Sequence, residues 1–305
     1  MGISGYESWF VSARDPESGR ALWIRHTRLR RGQAPESAAL WCTVVDRGSG
    51  ERPTVVKQVF DAFPPAAVAD PGRFRGEAVM AGQDVRWELA ITGGQPAVRP
   101  MRPEVLYRAP LPRTKLETPA PDGLVTGVLD VNGRRVDVVE WRGTVGHNWG
   151  TGHADSWVWL HAAGLDAAGQ GWLELVLAKI RIGPARSPWT ALGKLSLGGR
   201  LVPLGGLGRR PRVTAGPARL TAQVPSPQAR LDVTVTASDR DRVTVAYTDP
   251  SGGTRAVSHA ALARAELAWH RHGESDLTMS SDHTAYEYGT SQLIPGTTLR
   301  PLPEG

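Results

Sequence analysis

The feature that most constrains this chain is a two-residue alternation of apolar and polar side chains. It is interrupted about every 8–12 residues by turn-forming clusters. "ESWFVSA" (7–13), "RALWIRHT" (20–27), "ALWCTVVD" (39–46), "TVVKQVF" (54–60) and "DVRWELAI" (84–91) read as strands. "RDPESG", "LRRGQAPES" and "RGSGERP" between them are turn compositions. "GVLDVNGRRVDVVEW" (127–141) reads as a hairpin turning at Asn132-Gly133, since both central residues of a type I′ turn need positive φ. "SWVWLHAAG" and "GWLELVLAKIRI" follow as strands, then "RLDVTVTAS", "DRVTVAYTDPSGGTRAVSH" and "ARAELAWHRH". Residues 259–273 have helix-forming composition. However, Ala263, Ala265, Leu267 and Trp269 alternate with Arg264, Glu266 and His270, which favours strand.

Short strands without intervening helices exclude a parallel α/β sheet and point to barrels or sandwiches. The predicted fold class is all-β, two antiparallel barrels in tandem, with fewer than about a fifth of residues helical. Residues 183–217 are Gly/Pro-rich and weakly patterned, so the seam is expected near 180–190, giving units 1–183 and 184–305. With 305 residues and 40% apolar content, the chain can bury a sizeable core. Its single cysteine, Cys42, excludes a disulfide framework and fits a reducing compartment. No signal peptide and no uncharged apolar run of membrane-spanning length are read, so the expected location is the cytoplasm. The net charge of +6 is mostly arginine, scattered as in proteins of GC-rich genomes. The densest cluster, "LGRRPR" (207–212), has no recognition helix or stacking aromatics beside it, so no nucleic-acid partner is expected.

One stretch carries unusual chemistry: "GTVGHNWGTGHADSWVWLHAAG" (143–164) packs Trp149, Trp157, Trp159, His147, His153, His161 and Asp155 together. On a strand, Trp157, Trp159 and His161 share one face. Such bulk suits a cavity wall or an interface better than a small-barrel core. Gly146, Gly150 and Gly152 allow close backbone approach, which would project His147 and Trp149 inward. A purely structural reading stands beside this one: buried indoles with a satisfied N–H and strand-bridging histidines are common in cores. A metal site of His147, His153, His161 and Asp155 is a weaker alternative, because their spacing fits no recurrent site. Nucleotide-binding glycine loops, nucleophile elbows, zinc motifs and diphosphate-binding aspartate clusters are all missing, so no cofactor and no metal are expected.

The chain resembles the carotenoid hydratase (hydroxyneurosporene synthase) family of tandem lipocalin-like proteins, related more distantly to tocopherol cyclases and decalin-forming Diels–Alderases. The resemblance rests on "YESWFVSARDPESGRALWIRHT", on "ALWCTVVD" followed by Lys57, and on "VRWELAI". It continues in "GVLDVNGRRVDVVEWRGTVGHNWGTGHADSWVWLHA" and "SSDHTAYEYGT". Its most specific element is a "DHEWG"-like signature before a W-x-W strand, here "GHNWG" and "SWVW". The chain departs from it at Gly146 and Asn148, where the family carries Asp and Glu. The resemblance implies lipocalin-like barrels and a hydrophobic isoprenoid or polyene substrate. No integral membrane segment is expected, and at most a transient contact with a membrane surface.

Three functions remain open. In the first, a proton donor starts carbocation chemistry on an isoprenoid, ending in hydration or cyclisation, with indole faces stabilising the cation. The expected donors are His147, Asp155 and Glu174, with Glu7 and Glu287 as further acids; Trp23, Trp87, Trp149, Trp157, Trp159 and His161 are expected to line the substrate cavity. The simpler alternatives are a loop cap for Asp155 and, for Glu174, an ion-pair partner to an inward arginine such as Arg25. In the second, the cavity folds a polyene for a pericyclic reaction, as a Diels–Alderase does. In the third, the protein binds a lipid without catalysis. Because family members differ in reaction, the resemblance alone selects none of these.

Overall fold

The computed structural model describes residues 4–15, 17–166, 169–206, 208–271, 273–295, 299–300 and 302–303. Its strands are β1 (Gly5–Arg14), β2 (Arg20–Arg30), β3 (Ser37–Asp46), β4 (Thr54–Phe60), β5 (Val68–Asp70), β6 (Arg73–Met80) and β7 (Gln83–Thr92). The long strands β8 (Thr114–Val131) and β9 (Arg134–Gly150) follow, then β10 (Ser156–Ala163), β11 (Trp172–Lys179), β12 (Arg181–Ile182), β13 (Ala185–Arg186), β14 (Thr190–Leu197) and β15 (Arg200–Gly205). The last are β16 (Arg212–Ala215), β17 (Arg219–Pro225), β18 (Ala229–Thr236), β19 (Arg242–Thr248), β20 (Thr254–Arg271) and β21 (Leu277–Thr290). Among the described residues the helical content is two short 3₁₀ turns, Arg47–Ser49 and Glu104–Tyr107. No helix there is long and apolar enough to cross a membrane.

Two antiparallel sheets result. The first runs β4-β3-β2-β1-β9-β8-β7-β6-β5, and the second β15-β14-β11-β10-β21-β20-β18-β17-β16 with β19 also pairing β20. In both, the first strand of the unit pairs at the centre with the last, so the two units share one connectivity. The all-β architecture expected from alternation is therefore present, with the curled, lipocalin-like sheets that the resemblance implies. The seam lies elsewhere than expected: β10 and β11 belong to the second sheet, so the sheets divide between Gly150 and Ser156 rather than at 183/184. The weakly patterned segment 183–217 contains β13, β14, β15 and β16 instead of a linker.

Each sheet curls around its own apolar core. Val11, Leu22, Ile24, Leu40, Phe74, Trp87 and Val145 belong to the first, and Val158, Leu160, Leu173, Leu175, Val233 and Tyr286 to the second. The Asn132-Gly133 turn joins β8 to β9 with φ of 55° and 78°, as its sequence requires. Segment 259–271 is strand, within β20; residue 272 lies outside the described residues.

The other faces of the central strands pack against each other. β20 crosses β1, β2 and β3, while β10 approaches β9 and β11 approaches β8. Phe10, Trp23, Ala39, Trp41 and Val55 of the first sheet meet Trp159, Val243, Val245, Tyr247, Val257 and Ala285 of the second. Glycine makes room for the aromatic rings at two points. A Cβ on Gly146 would sit 2.1 Å from the Phe10 ring, and one on Gly289 would sit 2.1 Å from the Trp157 indole. Neither residue is in the left-handed region, so the constraint is steric. Gly146→Ala and Gly289→Ala are each expected to destabilise the fold by about 1–3 kcal/mol through overpacking. Urea unfolding followed by far-UV circular dichroism measures this; a cost near zero for both would mean the rings are loosely held.

Candidate functional site

The layer between the sheets differs from the two cores because it buries charge. Arg14, Arg25 and Lys57 from the first sheet and Glu174 and Glu287 from the second are all less than a tenth exposed. Burying ions is costly unless they are paired or hydrogen-bonded, so each partner here carries information.

Glu174 is placed by strand alternation. Leu173, Leu175 and Leu177 of β11 enter the second core, and Glu174 and Val176 turn to the layer between the sheets. Its Oε1 accepts from Trp159 Nε1 at 2.7 Å and from Thr118 Oγ1 at 3.2 Å. Its Oε2 is enclosed and has no partner. Burial pushes its carboxyl up to about 7, although Trp159, Thr118 and Arg14 all favour the ionised form. Glu287 lies on β21 opposite Trp159. It accepts from Trp157 Nε1 at 2.8 Å and from Tyr247 OH at 3.0 Å. Burial would raise it too, but His259, Trp157 and Arg25 outweigh that and hold it below the usual glutamate range.

His259 completes this centre. Its ring lies 4.8 Å from Trp23 and 6.5 Å, nearly parallel, from Trp159. Nδ1 stands 3.7 Å from Glu287 Oε2, beyond hydrogen-bond reach, and both ring nitrogens are buried without a partner. Arg25 stacks on Tyr247 at 4.2 Å, with Trp23 at 5.9 Å and Trp41 at 5.8 Å. Phe10 packs edge-on against Trp159 at 5.1 Å. Such a site offers a protonatable carboxyl, an ionised one, an unoccupied imidazole and several indole faces.

Of the residues expected from sequence, this layer brings together Trp23, Trp157, Trp159, His161 and Glu174. His161 is fully enclosed, between Arg14 Nη1 at 3.3 Å and the Pro121 carbonyl at 2.7 Å. Burial, followed by Arg14, pushes its ring down to about 3, so it stays neutral and holds Arg14 in place.

The other expected residues lie elsewhere. Trp87 sits in the first core, where its Nε1 points to His26 Nε2 at 3.3 Å. It also borders an open cleft of about 660 Å³ beside Leu40, Gly76 and Phe60. His147 and Trp149 face the first sheet's own side: His147 stacks on Trp9 at 3.8 Å and Trp149 at 4.6 Å. Its nitrogens meet Glu7 at 3.0 Å and Glu117 at 3.1 Å. Trp149 is thus separated from Trp157 and Trp159 by the sheet itself. Asp155 is tied to Arg186 at 2.8 Å, Arg181 at 3.2 Å and Ser291 Oγ at 3.1 Å. His153 lies at the edge of the layer, stacked on Trp157 at 5.8 Å, and is clamped to Asp249 through its backbone N–H at 3.0 Å and its ring at 3.2 Å. The three histidines and Asp155 therefore occupy four separate environments, and no group of three metal-capable side chains forms among the described residues.

Arg25 and Glu287 appeared in the sequence reading, but His259, Tyr247 and Trp41 were not singled out. No local motif marks them; only alternation within "LWCTVV", "TVAY" and "AVSHA" assigns each to a face.

Comparison with solved structures agrees with this architecture. An AttH-like protein from Nitrosomonas europaea superposes with a TM-score of 0.54 at 13% identity, covering 95% of this chain and 92% of that one. CghA gives 0.56 at 12% identity, with 97% and 90% covered. Kievitone hydratase from Nectria haematococca gives 0.52 at 11% identity, with 95% and 89% covered. At these identities the likeness establishes the shared fold, over nearly the whole length of each chain. No family model and no curated protein matches the sequence.

Glu174 links the site to stability. Its folded value, about 7, lies above the ordinary glutamate value of 4.5, so the folded state binds the extra proton between them. That contribution is fully present below about pH 4.5 and is lost as pH rises through about 7. The stability of the wild type relative to Glu174→Gln should therefore fall by roughly 3 kcal/mol between pH 4.5 and 8. Parallel denaturant titrations of the two proteins across that range test this; a pH-independent difference would mean Glu174 is not desolvated.

Proposed function

We propose that the layer between the sheets is the active site of a cofactor-independent hydratase or cyclase acting on an apolar unsaturated substrate of the isoprenoid or polyene class. The observation that carries this reading is Glu174: a desolvated carboxyl near neutral pKa, one oxygen fixed by an indole N–H and a hydroxyl, the other without a partner. With Oε1 accepting two hydrogen bonds, the proton of the neutral acid belongs on Oε2. An alkene approaching that oxygen takes the proton and leaves a carbocation, with the Trp159 indole beside Glu174. An indole face stabilises such a cation by up to about 2 kcal/mol when desolvated.

Two fates follow. If water attacks the cation, His259 is the group available to take its proton, with Glu287 at 3.7 Å to stabilise the imidazolium. If a second double bond attacks, a ring forms and the same imidazole removes the final proton. In either case the proton lost from Glu174 is restored from the imidazolium or solvent, so the enzyme returns to its starting state. Asp155 and His147 fit this role less well. Asp155 is already paired with two arginines, and His147 lies across the sheet from Glu174. The structural likeness to a kievitone hydratase is compatible with the reading.

Glu174→Gln should reduce turnover of an acyclic polyene by about 10²–10⁴-fold while the protein stays folded. Wild-type turnover should decline as pH rises through about 7, because the donor must be protonated. Running the reaction in ¹⁸O-water separates hydration, which labels the product, from cyclisation, which gives an unlabelled isomer. Turnover within a few-fold of wild type in folded Glu174→Gln would remove the acid and favour conformational catalysis of the pericyclic kind.

A further inference from the structure

Arg25 is not accounted for by proton transfer. It lies on β2 with only 7% of its surface exposed. Its Nε donates to Ser8 Oγ at 2.6 Å, and its guanidinium faces the Tyr247 ring with Trp23 and Trp41 nearby. Among the described residues, no carboxylate oxygen comes within 4.0 Å of it. Elsewhere around it the acids are committed. Asp249 is held by His153 and by Arg255 at 3.3 Å, and Glu287 by Trp157 and Tyr247. Glu287 acts on this guanidinium only through its charge, from beyond 4.0 Å, and cation–π contact repays only part of the cost of burying it. Its planar donor fork matches a carboxylate or a similar acidic oxygen pair.

The charge balance of the layer points the same way, and this step rests on the acid role assigned to Glu174. When Glu174 is protonated, Arg14, Arg25 and Lys57 are opposed there by Glu287 alone. Arg14 is already held by the Ala261 carbonyl, Ser12 and His161. Lys57 donates to the Pro303 carbonyl, and the Arg25 guanidinium is held by Ser8 and Tyr247 but by no contacting carboxylate.

Arg25 and Glu174 are also linked by a chain of aromatic contacts. Phe10 is the register partner of Arg25 on β1, its ring meets Trp159, and Trp159 donates to Glu174. We infer that the substrate carries an acidic head group, a carboxylate or an equally acidic enol. Arg25 binds this head while the unsaturated chain runs along Phe10 and Trp159 to Glu174. Arg25 would then select the substrate and fix which double bond reaches the acid.

All-trans retinoic acid and all-trans retinol form a matched probe pair, differing only in the head group. Binding of each to the full-length protein is read by quenching of tryptophan fluorescence at pH 6.5, where Glu174 is mostly protonated. Wild type is expected to bind the acid at least about ten-fold more tightly than the alcohol, a difference of about 1.4 kcal/mol. Arg25→Gln should bring the two affinities within about two-fold, and Arg25→Lys, which keeps the charge, should retain part of the preference. Glu174→Gln should keep the preference even though it removes turnover. The inference is overturned if wild-type protein shows no saturable binding of retinoic acid, binds both probes equally, or keeps its preference in folded Arg25→Gln. The wild-type ratio alone decides if the glutamine variant does not fold. Loss of the head-group preference with Glu174-dependent turnover intact would leave the acid reading standing, and the reverse outcome would leave Arg25 standing.

Discussion

The structure depends on packing two curled sheets against each other by the faces that point away from their own cores. An isolated curled sheet needs apolar side chains on one face only. Here the central strands must be buried on both. β1, β2, β3, β10 and β20 have long runs of buried residues without the alternation of exposure seen in β7. That doubles the apolar demand on these strands. It is met by aromatic residues on the shared face, Trp23, Trp41, Trp159 and Tyr247, opposite smaller aliphatic ones on the core face. Each such ring buries about 150–250 Å².

This accounts for the density of costly residues in 143–164. The stretch is where the chain leaves one sheet and enters the other. "GHNWG" ends β9, and "SWVWLHA" begins β10. Between them His153 and Asp155 fix the crossing to the β19–β20 turn and to the β12–β13 hairpin through Asp249, Arg181 and Arg186. Gly146 seats Phe10 on the shared side, while His147 is clamped between Trp9 and Trp149 on the other. One motif therefore serves both faces of a sheet, which a reading of its residues as one pocket does not anticipate.

The strands were legible because alternation and turn chemistry agree locally, as at Asn132-Gly133. The seam was not, because composition misled in both directions. Inward positions of β14 include Ala191 and Gly193, which leave a faint hydrophobic period, and β15 and β16 are half-exposed. Those strands looked like a linker, while the true crossing, at 151–155, is too short and too rich in functional residue types to look like one. Glu174 was legible as a carboxyl sharing a strand face with Trp172 and Val176. Its surroundings were not, since the face opens to the layer between the sheets rather than to a barrel interior. The Glu287–His259 pair was invisible for the same reason. Glu287 was read only as a further acid, and no local motif marks His259, its register partner on the neighbouring strand.

Two glutamates in this layer illustrate how the same residue type acquires opposite character. Glu174 and Glu287 are both enclosed, and each accepts an indole N–H from the W-x-W strand. Desolvation acts on both in the same direction. Around Glu174 the opposing groups are the Trp159 indole, one hydroxyl and Arg14, and burial prevails. Around Glu287 His259, Trp157 and Arg25 act together, and the ionised form prevails. The separation follows from the crossing of the sheets, which brings Arg25 of β2 toward β21 and leaves Glu174 against neutral Thr118 of β8. A pair of carboxyls held apart in this way supplies an acid and an ionised partner within one apolar layer, without any bound group to create the difference. Trp159 ties them together: it is the register neighbour of Glu287 and the hydrogen-bond donor to Glu174, so its ring plane is fixed by the same contacts that set the two charges.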